Sequence, residues 1–127
     1  MPPSRRSTGQ QGEAIAHAYL LRRGYGIIAA NWRCAQGELD LIAQHDATLV
    51  FVEVRTRRSH VRGLAEESVT HEKQRRLAAL AYAYLQHLDE QGAAWHGAWR
   101  VDVLALQLYN DGNARVRHLQ NVIEDIF

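Results

Sequence analysis

Two acidic residues and a basic run beside them are the side chains whose types and spacing could do chemistry in this chain. Asp40 lies in Gly37-Glu38-Leu39-Asp40-Leu41-Ile42, and Glu53 lies in Phe51-Val52-Glu53-Val54-Arg55. Both stretches read as strands: Glu38 to Ala43 alternates, and Leu49 to Arg55 is rich in β-branched and aromatic residues. The polar segment 44–48 between them reads as a hairpin turn. With a four-residue loop from His45 to Thr48, Leu39 faces Val54, Leu41 faces Val52 and Ala43 faces Val50 on one apolar side. On the other side Ile42 faces Phe51, Asp40 faces Glu53 and Glu38 faces Arg55. Like charges directly opposed, with Cβ atoms about 4.5–5.5 Å apart, repel. A divalent cation would offset that repulsion, since Mg²⁺ is typically held by one or two carboxylates, water and substrate phosphate. An arginine partner for each acid would offset it equally well, and on spacing alone both readings stand.

The elements that must position this pair follow from periodicity. Thr8-x-x-Gln11 has the form of a capping box, so a first helix is expected from Thr8 to about Arg22, stopped by Gly24. Residues 1–7 read as a disordered tail, without the apolar stretch of a secretory signal, and residues 8–127 as a single domain. An extended piece, Tyr25 to Arg33, precedes the two strands. A long helix is expected from about Val69 to Leu88, capped by Ser68 or Thr70. A second hairpin, Val101 to Leu108 and Arg115 to Leu119, turns at Asn110-Asp111-Gly112-Asn113. The order α-β-β-β-α-β-β predicts an α/β fold, a mixed central sheet flanked by helices.

Composition narrows the function classes. The chain has 127 residues, 46% hydrophobic and 23% charged, with a net charge of +1. A nucleic-acid surface must therefore be a local patch rather than a global field. The single cysteine, Cys34, excludes an internal disulfide framework and suits a reducing, cytoplasmic compartment. No apolar run approaches the roughly 20 residues needed to cross a bilayer. The seven histidines show no metal-ligand spacing, and Trp32, Trp95 and Trp99 read as core or core-edge residues. Asp102, in an apolar strand after Arg100, reads as an ion pair or structural hydrogen bond. Arg55, Arg57, Arg58 and Arg62 form the densest basic run, adjoining the acids, where guanidinium groups could grip phosphates.

An ordered set of fragments resembles a known family. Gly9-x-x-Gly12-Glu13-x-x-Ala16, Asn31-Trp32-Arg33, the Asp40 and Glu53 segments, Lys73 and Arg100-Val101-Asp102-Val103 follow one another as in the YraN-like family of small uncharacterised bacterial proteins. That family is similar to archaeal Holliday-junction resolvases of the restriction-endonuclease-like superfamily, with an αβββαβ core. The resemblance implies Mg²⁺- or Mn²⁺-dependent hydrolysis of DNA, branched or damaged, and the alternative is a nucleic-acid-binding or adaptor protein on the same scaffold with cleavage lost. It implies a metal held by Asp40, Glu53 and the carbonyl of Val54, with Glu13 assisting from the first helix. A homodimer is implied by the resolvase analogy alone. The chain departs from the superfamily at Arg55, where lysine is usual; arginine stays protonated and cannot serve as a general base. Fourteen of the fifteen basic residues are arginine, and the one lysine, Lys73, is the substitute cation if its helical stripe with Leu77, Leu80 and Tyr84 faces the sheet. The alternative is a solvated lysine at the end of that stripe.

Overall fold

The computed structural model describes residues 5–59 and 69–123. Along the chain run α1 (Arg5–Arg22), β1 (Gly26–Cys34), β2 (Gly37–His45), β3 (Thr48–Ser59), α2 (His71–Glu90), β4 (Trp99–Tyr109) and β5 (Ala114–Leu119). The strands form one mixed sheet in the order β1-β2-β3-β4-β5. Only the β3–β4 pair is parallel. A parallel neighbour requires a long crossover, and α2 lies within it.

The two helices cover opposite faces. Ala16, Tyr19 and Leu20 of α1 bury against Leu41, Ala43, Val50, Val52, Leu104 and Leu106. Leu77, Leu80, Ala81 and Tyr84 of α2 bury against Leu39, Ile42, Leu49, Phe51, Val101 and Val103. The expected stripe on α2 is thus the one that meets the sheet, with Lys73 half-buried at its start. Trp32, Trp95 and Trp99 pack at the edge of the α2-side core. β4 is buried on both faces from Val101 to Leu106, which explains its near-continuous apolar run.

Helix α1 begins three residues before Thr8, so residues 5–7 are helical rather than part of a tail; residues 1–4 lie outside the described ones. The expected capping box is not formed. Its two members instead serve β3: Arg58 Nε donates to Thr8 Oγ1 at 3.0 Å, and Arg58 Nη2 donates to Gln11 Oε1. Gly12 makes the close approach of α1 to β3, because a Cβ there would meet Thr56 Oγ1 at 1.8 Å. For α2, Thr70 is the cap, its side chain accepting from the Lys73 N–H at 3.2 Å.

The β2–β3 register is the expected one, with Leu41 opposite Val52, Ile42 opposite Phe51 and Ala43 opposite Val50. The loop is shorter than expected. His45 pairs with Thr48, leaving Asp46 and Ala47 as the turn, and Asp46 takes a left-handed φ of 52° that aspartate tolerates. Both loops share one centre, so the register survives the change. The faces do not survive throughout: Leu39 lies with Ile42 on the α2 side, not with Leu41. The cause is a kink. Asn31 has a φ of 54°, and neither Asn31 nor Asp40, which would face it, belongs to the β1–β2 ladder. Alternation therefore reverses at Asp40.

Candidate functional site

Asp40 sits where the β2–β3 ladder stops and the β1–β2 ladder skips a pair. The paired positions of β2 and β3 end at Leu41 and Val52. One step on, the Val54 N–H would meet the Leu39 carbonyl if the pairing continued. It donates instead to Asp40 Oδ2 at 2.7 Å. The carboxylate thus takes the place of a backbone acceptor in a break between strands. The N–H and C=O of one strand residue face the same neighbour, so the Val54 carbonyl is directed into the same break.

Around this break the structure gathers acids. A cleft of about 500 Å³ between α1 and β1–β2 is lined by Asp40 together with Gln10, Glu13, His17 and Asn31. Glu13, half-buried, therefore shares a cleft with Asp40. Burial pushes the Asp40 carboxyl up to about 6, the negative charges of Glu53, Glu13 and Glu38 push the same way, and the Val54 N–H partly opposes them. Its ordinary value is 3.8. Such a site attracts positive charge.

Glu53 points to the α2 side of β3, in alternation with Phe51, and its side chain is only 17% exposed. Arg76 Nη2 donates to Glu53 Oε1 at 2.7 Å. The cation that α2 delivers to this acid is thus Arg76, one turn beyond Lys73. The signal for it was in the sequence, since a residue three beyond Lys73 shares its side of the helix. Arg55 is half-buried on the same face of β3 as Glu53. Glu38, expected opposite Arg55, pairs with Arg33 at 3.7 Å. Of the basic run, Arg57 is exposed, Arg58 is held by α1 and Arg62 lies outside the described residues.

Among the described residues no three His, Cys, Asp or Glu side chains group closely enough to hold an ion by themselves. Two carboxylates and one carbonyl do not make a closed zinc site. They are the donor types that a hard divalent cation takes when water and phosphate oxygens complete its shell.

A second polar cluster lies in the sheet, and sequence reasoning caught only half of it. Asp102 is fully buried. It accepts from Arg100 Nε at 3.0 Å, His118 Nε2 at 2.8 Å and the Asn121 N–H at 3.0 Å. His118 Nδ1 is 3.2 Å from the Tyr19 hydroxyl, and Arg100 Nη2 donates to the Tyr25 hydroxyl at 2.8 Å. Burial alone would raise the Asp102 carboxyl; the bonds from His118, Arg100 and Asn121 outweigh it and hold the group below its ordinary range. Every acceptor position is occupied by a structural partner, so this cluster ties β4, β5 and the following chain together. The pairing with Arg100 was expected; His118, spaced far from it in sequence, was not.

Comparison with known proteins places these features in a family. The sequence model described as "Uncharacterised protein family UPF0102" matches residues 12–106. A UPF0102 protein of Herpetosiphon aurantiacus is 45% identical over 122 residues, 96% of this chain and 98% of that protein. One of Roseiflexus castenholzii is 42% identical over 126 residues, 98% of this chain and 99% of that one. One of Chloroflexus aurantiacus is 50% identical over 106 residues, 84% of this chain and 83% of that one. Among solved structures, Pyrococcus furiosus SfsA in complex with Ca²⁺ aligns with 91% of this chain and 63% of its own, at 20% identity and a TM-score of 0.39. With full-length relatives at this identity and a family match spanning the kinked β2, β3 and α2, the chain belongs to the UPF0102, or YraN-like, family.

Proposed function

We propose that this chain is a metal-dependent endonuclease acting on branched or damaged DNA, with Mg²⁺ or Mn²⁺ held by Asp40, Glu53 and the Val54 carbonyl. The reading includes a single restriction-endonuclease-like domain over residues 8–127 and a cytoplasmic location. The observation that carries it is the Asp40 carboxylate set into the break between β2 and β3, bonded to the Val54 N–H at 2.7 Å. A carboxyl raised to about 6 by burial and by three neighbouring acids is costly to keep unless a cation is its partner.

When bound, the cation would polarise the phosphate and lower the pKa of the attacking water. The chain's own groups do the rest. Asp40 and Glu53 would hold the cation from two sides of the break, and the phosphate would be positioned through it. Glu13, across the cleft, orients water. Arg55 stays protonated and donates to phosphoryl oxygens as charge develops on them. Arg57, Arg58 and Arg62 hold neighbouring phosphates, and Lys73 adds a cation at the start of α2. Symmetric cutting of a four-way junction needs two such sites, so the reading carries a homodimer on that substrate.

The test is incubation of the protein with labelled duplex, single-stranded, flapped and four-way-junction DNA in Mg²⁺, Mn²⁺ or EDTA. An Asp40→Asn/Glu53→Gln protein runs beside it. Metal-dependent cutting of one structure, absent from the double variant, is expected; equal cutting by both proteins would falsify the assignment. A second reading, a nucleic-acid-binding or adaptor protein on the same scaffold, is favoured by Arg55 in place of lysine and by Arg76 on Glu53. It predicts salt-sensitive binding of one DNA structure without metal and without cutting.

A further inference from the structure

Arg76 holds one oxygen of the carboxylate that a cation at this site would draw on. Its Nη2 lies 2.7 Å from Glu53 Oε1, with the Glu53 side chain 17% exposed and the Arg76 side chain 46% exposed. The carboxylate is therefore enclosed while the guanidinium approaches from the rim. The helix behind it is fixed, because Leu77, the next residue, is 1% exposed in the α2-side core. Only the arginine side chain is at liberty to move. A guanidinium carries five donors in a fork suited to phosphate as well as carboxylate. A guanidinium and a divalent cation drawn to one carboxylate repel each other, so each weakens the other's hold on Glu53.

Resting on the metal reading of Asp40 and Glu53, we infer that Arg76 is an exchangeable counter-ion: it neutralises Glu53 until a divalent cation displaces it, and then turns to a DNA phosphate. Arg76 in this role is a positioning residue that couples two ligands. Metal entry releases a phosphate-binding group, so metal strengthens DNA binding, and by linkage DNA strengthens metal binding. This also accounts for a role the superfamily's lysine leaves open here. Arg55 is fixed in β3 beside the acid, whereas Arg76 comes from the opposite layer and can leave it.

The experiment is calorimetric titration of Mn²⁺ alone into the full chain and into Arg76→Ala and Arg76→Lys, with thermal melts in EDTA confirming that each is folded. With the competitor removed, Arg76→Ala should bind Mn²⁺ about tenfold more tightly, while Arg76→Lys, which keeps a cation in reach, should stay near the parent. In Ca²⁺, the gain in affinity for a labelled duplex seen with the parent should be lost in Arg76→Ala. Mn²⁺ affinity unchanged or weakened in Arg76→Ala overturns the inference and leaves the metal site standing. No Mn²⁺ binding by any of the three proteins overturns both.

Discussion

Asp40 and Asp102 are both withdrawn from water, yet their carboxyls move in opposite directions. Asp102 is surrounded by donors from Arg100, His118 and the Asn121 N–H, and stays ionised well below its ordinary range. Asp40 accepts from the Val54 N–H, against burial and three acids. The signs of their pH dependence follow. A raised folded pKa favours the protonated folded state, so the Asp40 contribution is best below about pH 4 and worsens as pH rises through about 6. Asp40→Asn should therefore stabilise the protein at pH 7.5 by about 1–2 kcal/mol, less than the full shift converts to because the group is partly exposed, with little effect at pH 4. Urea unfolding at both pH values checks this. A lowered folded pKa works the other way: the Asp102 contribution is present above the unfolded value and lost as pH falls through the folded one. Asp102→Asn should cost about 3–5 kcal/mol at neutral pH, since Arg100 and His118 lose a buried charged partner. Both acids were legible in the sequence, one by an expected place opposite Glu53 that the β2–β3 ladder does not reach and one by its apolar strand. Their contrast was not, because it depends on His118 and Asn121, which only the β4–β5 pairing and the chain reversal after β5 bring to Asp102.

At the scale of elements, the site is made by two departures from regularity. The Asn31 kink reverses the alternation of β2 and turns Asp40 toward the α1 side, where Glu13 and the cleft are. Pattern reading recovers the register of a hairpin because the turn centre determines it, and the apolar stretches on both sides agree. It cannot see a reversal caused by one left-handed residue in a neighbouring strand, which is why Leu39 was placed on the wrong face. The second departure is the close contact of α1 with β3 at Gly12 and Thr56. Thr56 is β-branched and stiff, so it cannot swing away from a methyl group. Gly12→Ala should destabilise by about 1–3 kcal/mol, measured by denaturant midpoint, and a Thr56→Ala change in the same chain should restore part of it. The helix seat also sets the distance of Glu13 from Asp40, so under the proposed nuclease reading cleavage should fall with stability. Periodicity also does not choose between Lys73 and Arg76, for an element-level reason: both lie on one side of α2, and the seating of the helix decides which of them reaches Glu53.

For the molecule as a whole, the two helices on opposite faces leave the break between β2 and β3 as a seam that both can address. α1 supplies Glu13 from one side and α2 supplies Arg76 from the other. A net charge of +1 gives no general attraction to nucleic acid, so the binding proposed above would rest on the basic side chains of β3 and α2 around this seam. No helix among the described residues is long and apolar enough to cross a membrane. The central claim is that the seam is a cation site. Thermal unfolding of the full chain and of Asp40→Asn at pH 7.5, in EDTA and in excess Mn²⁺, tests it without any choice of DNA. A ligand present at about a hundredfold its dissociation constant adds about 2.7 kcal/mol to the folded state. For a chain of this size that is a rise of roughly 5–10 °C. The account predicts that rise for the parent, no rise for Asp40→Asn, and a higher melting point for Asp40→Asn in EDTA. Mn²⁺ raising both proteins equally, or neither, with Asp40→Asn the less stable of the two, would contradict it and make Asp40 a structural residue like Asp102.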